Sequence, residues 1–153
     1  MQIIFISVGK TSEKWVSDAC STYVKRLGKY VRFHWHETTD IKSLPPEEMK
    51  LREFAAIKKY IEQGDHVVLL DERGAAYSSV GFSEFITRKQ LENRKRLVFV
   101  LGGAHGFHED AYSMANETLR LSDMTFPHQM VRIIFLEQLY RAFTIINREP
   151  YHH

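Results

Sequence analysis

The sequence predicts an α/β fold, a mostly parallel sheet flanked by helices. Three observations carry this. Residues 2–8 (QIIFISV), 66–70 (HVVLL) and 96–101 (RLVFVL) are near-continuous apolar runs, the pattern of strands buried on both faces. The stretches between them repeat apolar residues at helical spacing. The resulting order, βαβαβαβαβα, is what parallel pairing demands, because a parallel neighbour is reached only through a crossover.

In order along the chain, residues 2–8 form the first strand. Trp15, Ala19, Tyr23 and Leu27 recur every four residues and predict a helix face. Thr11 or Ser12 caps it, with Glu13 favourable to the helix dipole. Residues 31–36 (VRFHWH) alternate, as in a strand nearer an edge. Pro45-Pro46 enters a helix that presents Leu51, Phe54, Ile57 and Ile61, closed by Gly64. Strand 66–70 follows, then a helix marked by Phe82, Phe85 and Ile86, then strand 96–101. Phe107 to Met114 is a short helix and Thr118 to Leu121 a short strand. His128 to Asn147 is one long helix. Its apolar residues fall on two faces, Val131, Phe135 and Ala142 on one and Ile133, Leu136, Tyr140 and Phe143 on the other. One stripe suffices for packing on a single sheet. Two predict a second partner, here a homodimer through the C-terminal helix.

Composition narrows the function classes. The chain has 153 residues and a formal charge of +2, so one domain over 1–153 is expected, with no strong electrostatic demand for nucleic acid. A single cysteine, Cys20, excludes an intrachain disulfide. Val16 and Val24 share its helix face, which predicts a buried, unreactive thiol. The first strand lacks a basic start and a cleavage site, and no apolar run reaches a membrane span, so a cytoplasmic location is expected. Eight histidines include no set with metal-ligand spacing, so no metal is expected.

Parallel sheets bind ligands beyond the carboxyl ends of their strands. Four loops lie there: Gly9–Ser12, Asp71–Ala76, Gly102–Gly106 and Ser122–Pro127. Gly9-Lys10-Thr11 lacks the earlier glycine of a phosphate-binding loop. Asp71-Glu72-Arg73-Gly74 has turn chemistry, though Asp71 stands where a carboxylate meets a ligand. Three glycines in five residues, Gly102, Gly103 and Gly106, let backbone approach a ligand closely, but match no dinucleotide fingerprint. The loop LSDMTFPH, 121–128, is unusually apolar for a surface connection.

LDERG at 70–74, VLGGAHG at 100–106, LSDMTFPH at 121–128 and EQLYRAFTIINREPYHH at 137–153 together resemble one family. It is the bacterial large-subunit rRNA methyltransferases that methylate N3 of pseudouridine, members of the SPOUT superfamily. The resemblance covers essentially the whole chain. It implies a C-terminal part threaded as a trefoil knot, a homodimer, and S-adenosylmethionine as cofactor. It places cofactor contacts at Leu70, Gly102, Gly103, Leu121, Ser122, Asp123, Met124, Thr125 and Phe126. It places substrate contacts at Arg141, Tyr151 and His152. Position 153 is usually basic in the family, and here it is His153.

Such a reaction moves a methyl from a sulfonium to an imide nitrogen that carries a proton. An arginine can stabilise the anion left when that proton goes. Arg132 and Arg141 are the candidates, Arg141 ahead by the resemblance. His128, His152 and Asp71 are candidate bases. The resemblance also implies large-subunit rRNA as target; with little net charge and no added RNA-binding domain, the assembled ribosome is the expected partner. Two rivals stand beside it: a SPOUT enzyme acting on tRNA, and a non-catalytic ribosome-binding protein of the same fold.

Overall fold

The computed structural model describes residues 1–153. Five strands form one fully parallel sheet: β1 (Gln2–Ser7), β2 (Arg32–Glu37), β3 (His66–Ala76), β4 (Arg96–Leu101) and β5 (Glu117–Arg120). Their order across the sheet is β2-β1-β4-β3-β5. The helices are α1 (Lys14–Leu27), α2 (Pro46–Lys58), α3 (Ser79–Leu91), α4 (Glu109–Met114) and α5 (His128–Ile146). The predicted α/β architecture is therefore the observed one.

The apolar runs work because successive strand residues point to opposite faces. Ile3, Phe5, Val68, Leu70, Leu97 and Phe99 join α1, α3 and α5 in one core. Ile4, Ile6, Val67, Leu69, Val98 and Val100 meet Phe54 and Ile57 of α2 and Phe107 and Ala111 on the other face. No helix is long and apolar enough to cross a membrane.

Several local expectations are corrected. The buried face of α1 is Val16, Cys20 and Leu27, while Trp15 is 56% exposed. Four-residue spacing drifts around a helix of 3.6 residues per turn, so the Trp15 series does not stay on one face. Cys20 is buried, and burial pushes its thiol up to about 11, consistent with an unreactive side chain. Neither Thr11 nor Ser12 caps α1. Its cap position is Glu13, with no side-chain cap bond. Thr11 instead donates its backbone N–H to Glu37 at 2.6 Å. Leu51 is exposed, and α2 ends at Lys58, leaving Gly64 in the turn before β3.

The Asp71–Gly74 stretch is not a turn that ends β3. Leu70 and Ala75 both pair with Leu119, so residues 71–74 are the excess of an irregular strand. Gly74 is required there because a Cβ would lie 2.4 Å from the Leu119 nitrogen. Gly74→Ala should cost about 1–3 kcal/mol, as overpacking against backbone does. Urea denaturation measures it, and an unchanged midpoint would contradict this packing.

The opposite end of the sheet holds a buried ionic group. Lys89 on α3 and His66 each reach Glu117 at 2.7 Å. Burial pushes the Glu117 carboxyl up, but hydrogen bonds and charges from Lys89 and His66 outweigh it and leave it below its ordinary value. A depressed carboxylate contributes stability that is present above its unfolded pKa, near 4.3. That stability is lost as pH falls through the lower folded value. Lys89→Met should therefore flatten the acid side of the stability–pH curve below about pH 4.3. An unaltered slope in denaturation at stepped pH would show that the lysine does not hold Glu117.

Candidate functional site

The carboxyl ends of β3 and β4, together with the β5–α5 loop, enclose two adjoining hollows. One, of about 180 Å³, is lined by Leu70, Leu101, residues 120–126 and Val131. The other, of about 540 Å³, adds the glycine loop, residues 102–107, and His128. Leu70, Asp71, Leu101, Phe126 and Val131 line both. The larger has the volume of a small-molecule pocket, with Leu70, Leu101, Phe126 and Val131 as an apolar side beside polar groups. Leu70, Gly102, Gly103 and all of Leu121–Phe126, predicted from distant parts of the sequence, come together here.

The 121–126 loop divides its labour. Leu121 and Phe126 supply partly covered apolar surface. Ser122 Oγ accepts from the Met124 N–H at 2.9 Å, so Ser122 holds the turn. Asp123 pairs with Arg120 at 3.1 Å. Met124 is 76% exposed at the rim, so it is not the water-excluding wall that its hydrophobicity suggests. Leu70, Leu101 and Val131 take that part. Pro127 occupies the cap position of α5, fixing where the loop becomes helix.

Polar groups around the hollows are mostly engaged. Asp71 accepts from Tyr112 Oη at 2.5 Å and from the Arg73 N–H at 2.9 Å. Arg73 lies over the Tyr112 ring, 4.4 Å from its centre. His128 Nε2 donates to the Val8 carbonyl at 3.2 Å, so in the neutral ring only Nδ1 can accept a proton. Burial holds its pKa below the ordinary histidine value. Arg132, one candidate for contact with the substrate, is 0% exposed. Its guanidinium donates to the Val8 and Gly9 carbonyls, Thr11 Oγ1 and Glu37. It is a structural clamp between α5 and the end of β1, closed off from any ligand.

Arg141, Tyr151 and His152 form a second cluster, not part of these hollows. Arg141 Nε and Nη2 donate to Glu137 at 2.9 and 2.5 Å. Arg141 Nη1 is 3.4 Å from His152 Nδ1, and its guanidinium lies 4.8 Å from the Tyr151 ring centre. Tyr151 Oη donates to Glu137 at 3.1 Å. The hydrogen bond to Glu137 raises the Arg141 pKa further, so the group stays charged. Burial, with Tyr23 and Glu137, raises that of Tyr151. Glu137 orients all of this and was missed as a site residue. Its signal was the i,i+4 spacing to Arg141. His153 is exposed. No group of residues has the composition of a metal site.

Comparisons with known proteins follow this geometry. The family model described as "Predicted SPOUT methyltransferase" matches residues 1–152. The "Ribosomal RNA large subunit methyltransferase H" of Parabacteroides distasonis is 45% identical, over 100% of this chain and 99% of that protein. The proteins of that name from Christiangramia forsetii and Flavobacterium johnsoniae are 44% and 45% identical over the same shares. Among solved structures, the SpoU methyltransferase AviRb from Streptomyces viridochromogenes, in complex with AdoMet, aligns with a TM-score of 0.48 and 9% identity. That alignment covers 97% of this chain and 61% of the other. A match from the first strand to the end of the Arg141 cluster, shared with near full-length relatives, makes the chain a member of the SPOUT methyltransferase family.

Proposed function

We propose that this chain is a cytoplasmic S-adenosylmethionine-dependent methyltransferase, one domain over residues 1–153, acting on N3 of a pseudouridine in large-subunit rRNA. Family membership and the relatives' printed names support the reaction class and the rRNA. The single structural observation that carries the reading is the convergence of Leu70, the glycine loop and residues 121–126 on adjoining hollows.

These residues suit S-adenosylmethionine. Leu70, Leu101, Phe126 and Val131 offer an apolar surface for a nucleoside. Asp71, Glu72 and Asp123 stand nearby and favour a cationic ligand. When bound, the cofactor supplies a methyl on a sulfonium whose departure leaves a neutral thioether. No acid is then needed for the leaving group. What the chain must supply is a deprotonated, held nucleophile. Arg141, permanently charged and oriented by Glu137, stabilises the imidate formed when N3 loses its proton. His152 accepts from Arg141 at Nδ1, which puts the neutral ring's proton on Nε2. That tautomer donates to a base carbonyl and is no proton acceptor there. Asp71 is twice hydrogen-bonded, so the proton passes to solvent in this reading.

In this reading a second chain joins the two clusters. Arg141 lies thirteen residues beyond His128 on α5, a distance of about 20 Å along the axis. One protomer's Arg141 cluster is thus remote from its own cofactor hollow. A two-fold dimer through α5 brings it to the partner's hollow. Half-buried Ile133, Ile134 and Ile145 on α5 support this. A trefoil-threaded C-terminus belongs to this reading through membership of the SPOUT family alone.

The test is transfer of labelled methyl to ribosomes from a strain lacking this gene, followed by nucleoside mass analysis. Label at N3 of a pseudouridine in large-subunit rRNA is expected. Label on tRNA or on ribose would overturn the substrate. No binding of S-adenosylmethionine in calorimetry would favour the non-catalytic rival.

A further inference from the structure

Position 103 is glycine for a reason that lies behind the loop. A Cβ built on Gly103 would stand 2.5 and 2.7 Å from the two carboxylate oxygens of Glu53. Glu53 belongs to α2 and is only 6% exposed. It does not line the hollows on the loop's other side. Its carboxylate makes neither a hydrogen bond nor an ion pair with any protein group. Burial raises its pKa. An unpartnered carboxylate in such a place costs stability. Residues that break a local rule in this way concentrate where function needs them.

The surroundings say what it serves. Phe54, the next residue of α2, stacks on His108 with ring centres 6.4 Å apart. His108 caps α4 by accepting from the Asp110 N–H. Helix α2 therefore meets the glycine loop through Glu53 at Gly103 and the α4 cap just beyond the loop through Phe54 at His108. Within the loop, the Gly106 N–H donates to the Gly103 carbonyl at 3.1 Å and closes the turn. The N–H groups of Ala104 and His105 donate to no protein acceptor, and both residues are exposed.

We propose that Glu53 is the positioning residue of the glycine loop, a carboxylate seat behind Gly103 that fixes the backbone forming one wall of the cofactor hollow. Its free acceptor oxygens take hydrogen bonds from loop N–H groups as the loop settles on its ligand. A largely covered acceptor with no protein donor favours any arrangement that provides one. A side chain at 103 would push the carboxylate out of this seat. This deepens the S-adenosylmethionine reading for its binding arm, and stands apart from it for its folding arm.

The experiment is a double-substitution cycle with Gly103→Ala, Glu53→Ala and both together, plus Glu53→Gln. In thermal unfolding without ligand, Gly103→Ala should lower the midpoint by about 2 °C in the natural background, the cost of displacing one flexible carboxylate. In the Glu53→Ala background the same change should have little effect, because the carboxylate no longer meets the new methyl. Glu53→Gln, of equal size, should give no such relief. Equal losses in the natural and Glu53→Ala backgrounds would overturn the seat. In steady-state kinetics Glu53→Gln and Glu53→Ala should raise KM for S-adenosylmethionine about tenfold with kcat within about twofold. A fall in kcat that tracks the folded fraction, with KM unmoved, would reduce Glu53 to a merely structural residue and overturn the positioning role. If the natural chain binds no S-adenosylmethionine, the proposed cofactor fails, while the unfolding cycle still decides the seat.

Discussion

Arg132→Ala should lower the unfolding free energy by about 3 kcal/mol, as removing one partner of a buried pair does. The side chain is fully buried and ties α5 to the end of β1 through Val8, Gly9, Thr11 and Glu37. Burial lowers its pKa and Glu37 opposes that shift, so the guanidinium is held charged by its partners. Its removal strands the Gly9 carbonyl and takes one donor each from the Val8 carbonyl and the Glu37 carboxylate, which keep His128 and Thr11. Glu37 keeps some contact with water, which places the loss at the lower end for such pairs. Arg132→Lys should recover only part, because one ammonium cannot reproduce a planar fork facing four acceptors. Urea denaturation is the measurement. A loss below about 1 kcal/mol, the size of a surface pair, would show that the clamp does not hold the helix.

Arg141→Ala should leave S-adenosylmethionine binding intact and lower kcat about 10²–10³-fold, the effect of removing one preorganised donor. The larger consequence is complementation. A cofactor-hollow variant such as Leu70→Arg is inactive because charge and bulk enter the apolar wall. Each inactive protein alone carries one intact half of the site. Mixed after dissociation, half of the two-fold dimers are heterodimers, and each holds one site with both halves intact. About a quarter of natural activity should return. If mixing restores nothing while mass measurement shows heterodimers, the Arg141 cluster does not serve the partner's hollow.

Much of the fold was legible because its physics is local. Apolar runs of six residues with helical stretches between them leave few arrangements besides a parallel sheet, and every strand and helix appears close to its predicted place. The Trp15 error was local, a matter of helix period, but three others share one cause, a side chain or backbone answering to a neighbour far along the chain. Thr11 reads as a cap, yet Glu37 and Arg132 claim it. Asp71–Gly74 reads as a turn, yet pairing with β5 keeps it in the sheet. Arg132 and Arg141 look equivalent in the sequence, one on each half of a long helix. Only packing separates a buried clamp from a cation that Glu137 aims outward.

The candidate site residues came from four motif blocks, and the structure gathers three of those blocks around the hollows. Their separate tasks came from contacts. Ser122 holds a turn, Asp123 pairs with Arg120, Met124 lies in the open, and Phe126 lines the cavity. Glu53 carried no sequence signal at all, since a glutamate in an amphipathic helix is ordinary until a glycine is seen against it.

By itself, then, the sequence determined the α/β class, the strand and helix order, and the loops that carry chemistry. These follow from side-chain period and backbone propensity, which act over a few residues. The tertiary structure alone decided which arginine is buried, why Gly74 has no side chain, and that the two candidate clusters lie toward opposite ends of α5. Those outcomes depend on distances between residues as far as 124 positions apart, such as Arg132 and Val8, and no local pattern records them.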